Sequence, residues 1–271
     1  MQNHAYVVNG FLHGTVSPLD RGLAYGDGVF RTIKVVDGMP ECWSLHYQKL
    51  ESDCSAIGIV CPSADLLMSD MQQLIQTGED SVAKIIITRG DGERGYTLPA
   101  VSMPSRIVIK SAMPQYPEAY ASLGVRLSIC DTRLPWQPKL AGIKHLNRLE
   151  NVLARMEWHD PEIFDGILLD NECHVIECTS ANIFARHANV LITPMLDNCG
   201  VAGVTRQRII DSVHSLGLQA KVDVITIEQL LKADEIIICN SIHGALSVRQ
   251  IQENVIPTTQ LANVIRRTLV E

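Results

Sequence analysis

Residues 140–149 read Leu-Ala-Gly-Ile-Lys-His-Leu-Asn-Arg-Leu and place one lysine where an apolar loop meets the start of a predicted helix. A lysine that is partly withdrawn from water binds its proton less tightly, so its amine can act as a nucleophile. Most lysines near a helix start are simply solvated, and the spacing alone leaves both interpretations open. Lys144 is therefore a candidate Schiff-base lysine whose support has to come from a second segment.

That second segment, residues 175–184, carries an acid inside an apolar, strand-like run. A carboxylate is costly to bury unless a positive group faces it, so Glu177 implies a cationic partner. The protonated pyridine nitrogen of pyridoxal phosphate is one such partner, while a nearby arginine or a capped turn is the structural alternative. Taken together, Lys144 and Glu177 favour the cofactor.

A third segment, residues 200–208, is a glycine-containing loop that leads into an apolar-periodic helix. The backbone N–H groups at such a helix start, with the positive end of the helix dipole, suit a phosphate. Many glycine loops merely turn the chain, so this element is weak by itself. Small polar residues also follow the apolar strand near residue 239 and add donors. The predicted phosphate-binding residues are Gly203, Val204, Thr205, Asn240 and Ser241.

These segments occur together with several other short motifs, and as a set they resemble a known family. The markers, in chain order, are Asp20-Arg21-Gly22, Gly26-Asp27-Gly28-Val29-Phe30, His46 with Lys49-Leu50, and Thr88-Arg89-Gly90 with Arg94-Gly95-Tyr96. Over nearly its whole length the chain resembles the fold-type IV pyridoxal-phosphate enzymes, the family of D-amino-acid and branched-chain aminotransferases. The segments 142–149 and 94–96 resemble the lyase branch of that family.

The resemblance implies a two-domain α+β fold with the cofactor at the domain interface, and a homodimer. It makes Lys144 the residue that binds pyridoxal 5'-phosphate covalently and Glu177 the partner of the pyridine nitrogen. It also implies phosphate contacts from Val204, Thr205 and Ser241. Substrate-binding groups are expected at Arg94, Tyr96, Arg31, Asn182 and Ile242.

Two positions depart from the family pattern. The family usually has arginine where this chain has Lys49, and a lysine offers phosphate a point charge instead of a bidentate fork. Lys49 is still predicted to bind the cofactor, less rigidly. At Arg31 the relatives often carry glutamate, and an added cation suits a substrate with two carboxylates, although an exposed surface arginine explains the residue equally well.

The activity that the resemblance implies is a lyase reaction in folate biosynthesis, from 4-amino-4-deoxychorismate to 4-aminobenzoate and pyruvate. The substrate amine takes over the aldehyde carbon from Lys144, whose freed amine then removes a proton before β-elimination. Because the product ring becomes aromatic, no amino acceptor is needed. The alternative is a D-amino-acid or branched-chain aminotransferase on the same scaffold, and a non-catalytic protein is the third hypothesis.

Composition sets the broader class. The 271 residues are 46% hydrophobic, enough for a substantial core, and the formal net charge of −7 argues against nucleic-acid binding. An anionic small-molecule substrate remains compatible, since a few focused cations outweigh the average charge. The eight cysteines have neither disulfide nor metal-site spacing, so we expect no disulfide and no metal. Residues 1–6 and the hydropathy pattern predict a cytoplasmic protein without a leader or membrane span.

Turn and helix signals predict the element order. Turns are expected at Asn9-Gly10 and Asp37-Gly38, and helices at 45–57 and from 64 to near 78. Two prolines predict a linker at 113–118 between an N-terminal α/β domain, 1–112, and a C-terminal α+β domain, 119–271, that carries Lys144. In that second domain, helices are expected at 147–159, 205–216 and 258–269. Strands are expected at 82–88 and 106–110, and near residues 166, 175, 190 and 235.

Overall fold

A computed structural model of the chain describes residues 5–269. These residues form two compact units, the first containing the chain up to residue 114 together with 143–147, and the second containing 115–142 and the chain from 148 onward. The prediction that 143–147 belong to the C-terminal domain is therefore wrong. The absence of a leader was predicted partly from residues 1–4, which lie outside the described residues.

The first unit is an antiparallel sheet with helices packed against it. Its described strands pair in the order β2-β1-β6-β5-β3-β4. Its elements are β1 (Ala5–Val8), β2 (Phe11–Leu12), α1 (Arg21–Tyr25), β3 (Gly28–Val36), β4 (Met39–Pro40), α2 (Trp43–Ala56), α3 (Ala64–Gln72), β5 (Ser81–Thr88) and β6 (Arg106–Ala112).

Strand β3 shows why this sheet forms. From Val29 onward its residues alternate between buried and half-buried, as expected for a strand with one face on a core. Val29, Ile33 and Val35 are fully buried in the core of this unit. Arg31 has the same parity and therefore enters the same face, whereas Phe30 lies on the other face.

Helix α2 packs on β3 through one buried stripe, formed by His46, Leu50, Asp53 and Cys54. The spacing of i, i+4, i+7 and i+8 is that of a single helix face. Leu50 and Cys54 belong to the core cluster of the unit. An aspartate between them is unusual, because a buried carboxylate needs positive or hydrogen-bonding partners.

The second unit contains a mixed sheet whose described strands pair in the order β12-β11-β10-β13-β14-β7-β8-β9, with β15 on β14. The pairs β11 with β12, β14 with β7 and β7 with β8 are parallel, and the other pairs between described strands are antiparallel. Its elements are α4 (Glu118–Ser122), β7 (Val125–Leu134), α5 (Leu149–Arg155), β8 (Ile163–Asp170), β9 (Val175–Cys178), β10 (Asn182–His187), β11 (Val190–Pro194), α6 (Val204–Ser212), β12 (Gln219–Asp223), α7 (Ile227–Leu231), β13 (Glu235–Asn240), β14 (Gly244–Ile251), β15 (Asn254–Val255) and α8 (Leu261–Thr268).

The middle of this sheet is buried on both faces. In β13, residues 235–239 are all buried. Glu235 begins the strand, and a continuous apolar run follows it at residues 236–239. One core cluster packs around Ile183, Ile236 and Val248, and another around Phe184 and Ile237. Because successive side chains of a strand face opposite ways, neighbouring isoleucines serve different cores.

The predicted elements are largely confirmed, with differences at helix ends. The turns at Asn9-Gly10 and Asp37-Gly38 have positive φ at both residues, as their sequence predicted. The helix expected at 147–159 covers only Leu149–Arg155, because the Glu157 carboxylate accepts the N–H groups of residues 131 and 132 instead of continuing the helix. The helix expected at 205–216 ends at Ser212 and tightens into a 3₁₀ turn before Gly217.

Two more predicted helices are shorter than expected. The second helix ends at Gln72 instead of near residue 78, and the last runs from Leu261 to Thr268 instead of 258–269. In the last case the Thr259 hydroxyl donates to the buried Glu235 carboxylate, which fixes the residues before the helix in a non-helical path. Between residues 5 and 269, no helix is long and apolar enough to span a membrane.

Candidate functional site

Lys144 belongs to the first unit, where its segment runs along the edge of β3. The Phe30 N–H donates to the Lys144 carbonyl and the Leu146 N–H to the Gly28 carbonyl, both at 2.9 Å. The Lys144 N–H donates to Asp53 Oδ2 at 3.2 Å. The half-buried Lys144 amine lies 4.7 Å from the centre of the Phe30 ring. The predicted nucleophile is therefore held by its own backbone against a rigid strand.

Arg31 and Lys49 both reach the carboxylate that receives the Lys144 N–H. Arg31 Nη2 contacts Asp53 Oδ2, and Lys49 Nζ contacts Asp53 Oδ1. Arg31 is 3% exposed, so the interpretation as a surface arginine is wrong. Burial lowers the pKa of Lys49 and repulsion from Arg31 adds to this effect, while the attraction of Asp53 opposes it.

Arg94 and Tyr96 lie on an exposed loop of the same unit. Tyr96 is 84% exposed, and its ring packs at 5.4 Å from that of Tyr25. The Tyr25 hydroxyl accepts the Gly95 N–H at 3.2 Å, and Arg21 Nη1 donates to the Gly95 carbonyl at 3.1 Å. Helix α1 thus fixes the backbone of the loop while both predicted substrate-binding side chains remain accessible.

Asp27 holds Arg21 in place and links it to Arg89. Arg21 Nε and Arg89 Nε each donate to Asp27 Oδ2 at 2.8 Å, and Arg89 Nη2 donates to Oδ1 at 2.9 Å. Burial alone would raise the pKa of Asp27, but the hydrogen bonds from the two arginines outweigh it, and the pKa lies below its ordinary value. Arg21, Asp27 and Arg89 are all family markers, and here they stabilise the structure next to the loop of Arg94 and Tyr96.

Glu177 lies on β9 in the second unit and is 4% exposed. Its Oε2 accepts the Val201 N–H at 2.8 Å, which joins the strand to the loop before α6. Gly200 precedes this contact with φ of +87°, and a Cβ there would lie 2.7 Å from Ile176 Cγ2. The glycine is needed because the loop passes so close to β9.

Asn182 follows β9 and ties down the same loop. Its Nδ2 donates to the Val201 carbonyl at 2.8 Å, and its Oδ1 accepts the Gly203 N–H at 3.2 Å. A Cβ on Gly203 would lie 2.3 Å from that Oδ1, so a larger residue would force the Asn182 side chain or the loop to move. Asn182 was expected to bind substrate, but its described hydrogen bonds hold the backbone of the loop.

The predicted phosphate-binding residues come together in the second unit at the start of α6. Gly203 is the N-cap, so the backbone N–H groups of the first helical turn face outward from its end. Thr205 Oγ1 lies 3.3 Å from Ser241 Oγ. Asn240 Oδ1 accepts the Ile242 N–H at 2.9 Å, which fixes the turn that presents Ser241. Backbone and hydroxyl donors thus converge, as an anionic group requires.

Asp165 is a residue of this region that the sequence patterns did not single out. It is 2% exposed and accepts hydroxyl hydrogen bonds from Thr179 at 2.5 Å and Ser180 at 2.7 Å. Burial raises its pKa, and these hydrogen bonds oppose the rise. The Ser180 carbonyl in turn accepts from Asn240 Nδ2 at 3.1 Å. The sequence feature that could have identified Asp165 is an acidic residue inside the apolar run of β8.

Arg206 was also missed, although it lies inside the predicted phosphate-binding helix. It is 7% exposed, with Nε donating to Thr193 Oγ1 at 3.1 Å and Nη2 to the Pro194 carbonyl at 2.9 Å. Burial lowers its pKa, and the negative charge of Glu177 acts in the opposite direction. Arg206 thus anchors α6 to β11 and supplies positive charge that offsets Glu177.

The chain is similar to known proteins over most of its length. The family model for amino-transferase class IV matches residues 28–251. The chain is 37% identical to aminodeoxychorismate lyase of Vibrio harveyi, over 89% of each chain. The crystal structure of 4-amino-4-deoxychorismate lyase from Pseudomonas aeruginosa superposes with a TM-score of 0.92 and 40% identity, covering 97% of each chain. A putative branched-chain-amino-acid aminotransferase of Methanocaldococcus jannaschii is 28% identical, over 93% of this chain and 88% of its own. This chain belongs to the class IV aminotransferase family, with the family's mixed α+β fold.

Proposed function

We propose that this protein is a pyridoxal-phosphate-dependent lyase that converts 4-amino-4-deoxychorismate to 4-aminobenzoate and pyruvate. The proposal rests above all on the similarity to two lyases of that name, which is higher than that to the aminotransferase. Such a reaction supplies the aminobenzoate part of folate. The same fold also serves aminotransferases, so an amino-transfer activity is the alternative.

The donor set at the start of α6 fits the phosphate of the cofactor. Thr205 and Ser241 offer hydroxyl groups, Val204 offers a helix N-terminal N–H, and Gly203 leaves the approach free of a side chain. Glu177 is buried and ionisable, as the partner of a protonated pyridine nitrogen has to be. When bound, pyridoxal phosphate supplies a ring that accepts the electron pair left by a broken C–H bond.

We assign Lys144 two successive tasks. Its amine would hold the cofactor covalently, and once released it would serve as the base that takes the proton from the amine-bearing carbon of the substrate. The backbone bonds of residues 144 and 146 to β3 would fix the position from which this amine reaches that carbon. The electron pair of this C–H bond would form a new ring double bond as the neighbouring carbon–oxygen bond breaks. The enolpyruvyl group would leave and take up a proton to become pyruvate, and the six-membered ring would become aromatic.

We assign the substrate carboxylates to the loop of Arg94 and Tyr96, with Ile242 as an apolar contact. The Arg94 side chain is exposed and flexible, whereas the backbone of its loop is held in place by α1. Arg31 is paired with Asp53, and we assign it a contribution to positive potential instead of a direct contact. Asn182 supports the loop before α6 in this assignment.

We also propose that the protein is a homodimer. Helix α5 and its C-cap expose Leu149, Val152, Leu153 and Met156, each at least 49% accessible. Their spacing of i, i+3, i+4 and i+7 makes one apolar face, which a second copy would cover. Val152→Glu should shift the mass in sedimentation equilibrium towards the monomer, while Glu150→Gln on the same helix should not. A wild-type monomer at micromolar concentration would contradict this proposal.

The eight free thiols support a reducing, cytoplasmic location. We expect the thiol count of protein isolated under alkylating conditions to be eight. A stable disulfide in such a sample would contradict the assignment.

The test of the activity is an assay without any keto acid. We expect 4-aminobenzoate and pyruvate in equal amounts from 4-amino-4-deoxychorismate, and no product with Lys144→Ala. Lys139→Ala, an exposed lysine shortly before it, serves as the control and should stay active. Product that appears only when a keto acid is added would instead support the aminotransferase. A colourless protein that does not bind the cofactor would reject both enzymes.

A further inference from the structure

The two positions at which this chain departs from its family pattern, Arg31 and Lys49, share one carboxylate. Asp53 contacts Arg31 through Oδ2 and Lys49 through Oδ1. The same Oδ2 accepts the N–H of Lys144 at 3.2 Å. Two cations, from β3 and α2, and the backbone of the predicted nucleophile therefore meet at one side chain.

Asp53 is placed where a carboxylate is costly. It occupies the core-facing stripe of α2 between Leu50 and Cys54 and is 1% exposed. A buried carboxylate of this kind is tolerated only when cations and hydrogen bonds compensate it. Arg31, at 3% exposed, is itself buried and needs the same compensation. With Lys49 the group carries two positive charges and one negative charge, so its net charge is positive.

We propose that Asp53 is a positioning residue that holds Lys49 and the backbone of Lys144 in place for the cofactor. This inference rests on the proposed function, since it concerns the lysine assigned to the cofactor. Arg31 compensates the buried charge of Asp53, and Lys49 is the cation that we assign to the phosphate. Lys49 alone carries a single point charge on a flexible stem, and the bond to Asp53 supplies the rigidity that such a stem lacks.

Because Asp53 contacts both Lys49 and the Lys144 N–H, different substitutions of Asp53 remove different contacts. Lys49 and Asp53 are four residues apart on α2, so both side chains share one helix face. Replacing Asp53 by asparagine keeps an oxygen for the Lys144 N–H but removes the charge that holds Lys49. Replacing it by alanine removes both. The two variants therefore separate the electrostatic part of the role from the hydrogen bond.

Asp70 offers a matched control in the same unit. It is 2% exposed on α3, and its Oδ2 pairs with Arg106 Nε at 2.6 Å. Asp53→Asn and Asp70→Asn each break a buried ion pair, and urea unfolding should show a loss of stability in both. We expect cofactor affinity to fall about tenfold in Asp53→Asn only, measured by titration of the apoprotein.

A second readout is the pH at which the visible absorption band of the bound cofactor changes. We expect the negative charge of Asp53 to favour the protonated form of the linkage between Lys144 and the cofactor, so removing this charge should lower the midpoint by about 0.5–1 pH unit. Asp70→Asn should leave the midpoint unchanged. Equal affinities and equal midpoints in the two variants would overturn the proposal.

A third readout needs no cofactor. In the apoprotein, amide hydrogen exchange at Lys144 should be at least about tenfold faster in Asp53→Ala than in Asp70→Ala, because only the first variant loses the acceptor. If Asp53→Asn does not fold, the double variant Arg31→Met with Asp53→Asn replaces it, because it removes both charges of the buried pair. We expect the double variant to fold and to bind the cofactor more weakly than the wild type. Normal binding in the double variant would refute the role of Asp53.

A different result would contradict the proposed function. If reduction of the wild-type holoprotein leaves no cofactor on Lys144, the assignment of that lysine is wrong whatever Asp53 does. If the wild type carries the adduct while Lys144 exchange and cofactor affinity are insensitive to Asp53, only the present inference is wrong.

Discussion

The charge of Glu177 and its hydrogen bond have effects that a single substitution can separate. The carboxylate accepts the Val201 N–H, a bond that glutamine can also accept. Glu177→Gln should therefore fold and still bind the cofactor covalently, while turnover falls about 100-fold or more because the pyridine nitrogen loses its anionic partner. Steady-state kinetics and the visible absorption band check both parts. Unchanged turnover would remove Glu177 from its assigned role.

Lys49 gives a second prediction at this scale. Lys49→Ala should weaken cofactor binding, and Lys49→Arg should keep or tighten it if the side chain meets the phosphate. Lys34→Ala removes a cation paired with Glu41 in the same unit and is the control, with unchanged affinity expected. Affinities equal to the wild type in both Lys49 variants would exclude this residue from the site.

The sequence patterns single out candidate site residues more readily than the partners of those residues. Lys144 and Glu177 were visible because a charged residue stood out in an apolar run. Asp53 was not singled out, since only Lys49 among its partners is a neighbour on the same helix, and the others lie 22 residues before it on β3 and 91 residues after it in the Lys144 segment. A contact at such separation is set by tertiary packing, which local patterns do not encode.

At the scale of elements, the loop before α6 depends on Gly203. A Cβ there would meet Asn182 Oδ1 at 2.3 Å, so Gly203→Ala should displace the loop and the first turn of α6. We expect cofactor affinity to fall about tenfold or more, with a loss of stability of about 1–3 kcal/mol. Equilibrium titration with pyridoxal phosphate and urea unfolding measure these effects.

Gly217→Ala provides the matching control at the other end of this region. Gly217 has φ of +73°, and a Cβ added there would meet no other heavy atom within 4 Å, so alanine should cost about 1 kcal/mol of backbone strain only. Its cofactor affinity should equal that of the wild type. A Gly203→Ala protein with the same affinity as Gly217→Ala would show that the loop tolerates displacement.

Element types were predictable wherever a period or a turn signal was strong. The hairpin turns and the strands β5, β6 and β13 follow from dipeptides and apolar runs. Helix ends were less predictable, because Glu157 and Thr259 are drawn into tertiary hydrogen bonds that override helical periodicity. The short helices α1, α4 and α7 were missed, since five residues hold too little periodicity to detect.

For the whole molecule, stability should depend on pH through His243. The ring is buried against Tyr116 and Phe164, and within the described residues neither ring nitrogen has a hydrogen-bond partner. Burial lowers the pKa of His243 to about 4. The unfolded chain, with a histidine pKa of about 6.5, therefore binds the proton more readily between pH 6.5 and 4. Stability should decline over this window as the pH falls, by up to about 3 kcal/mol.

His243→Phe checks this prediction. The aromatic contacts remain, so the variant should fold, and the slope of unfolding free energy against pH between 6.5 and 4 should become shallower than in the wild type. His214→Gln, which replaces an exposed histidine, should keep the wild-type slope. A wild-type slope in His243→Phe would mean that other groups cause the acid sensitivity.

The division into two units was only partly predictable from local sequence. The prolines near residue 114 mark the first boundary, and the change of unit at 114–115 coincides with them. The return of 143–147 to the first unit was not predicted, because it depends on backbone hydrogen bonds to residues 28 and 30 of β3. Backbone pairing of this kind leaves no trace in side-chain pattern.

The most direct test of the account is to reduce the holoprotein with borohydride, digest it and locate the cofactor by mass spectrometry. We predict a phosphopyridoxyl group on the Lys144 peptide alone, with loss of the visible absorption band on reduction. An adduct on another lysine, or a yellow protein with no adduct at all, would contradict the central claim that Lys144 carries the cofactor.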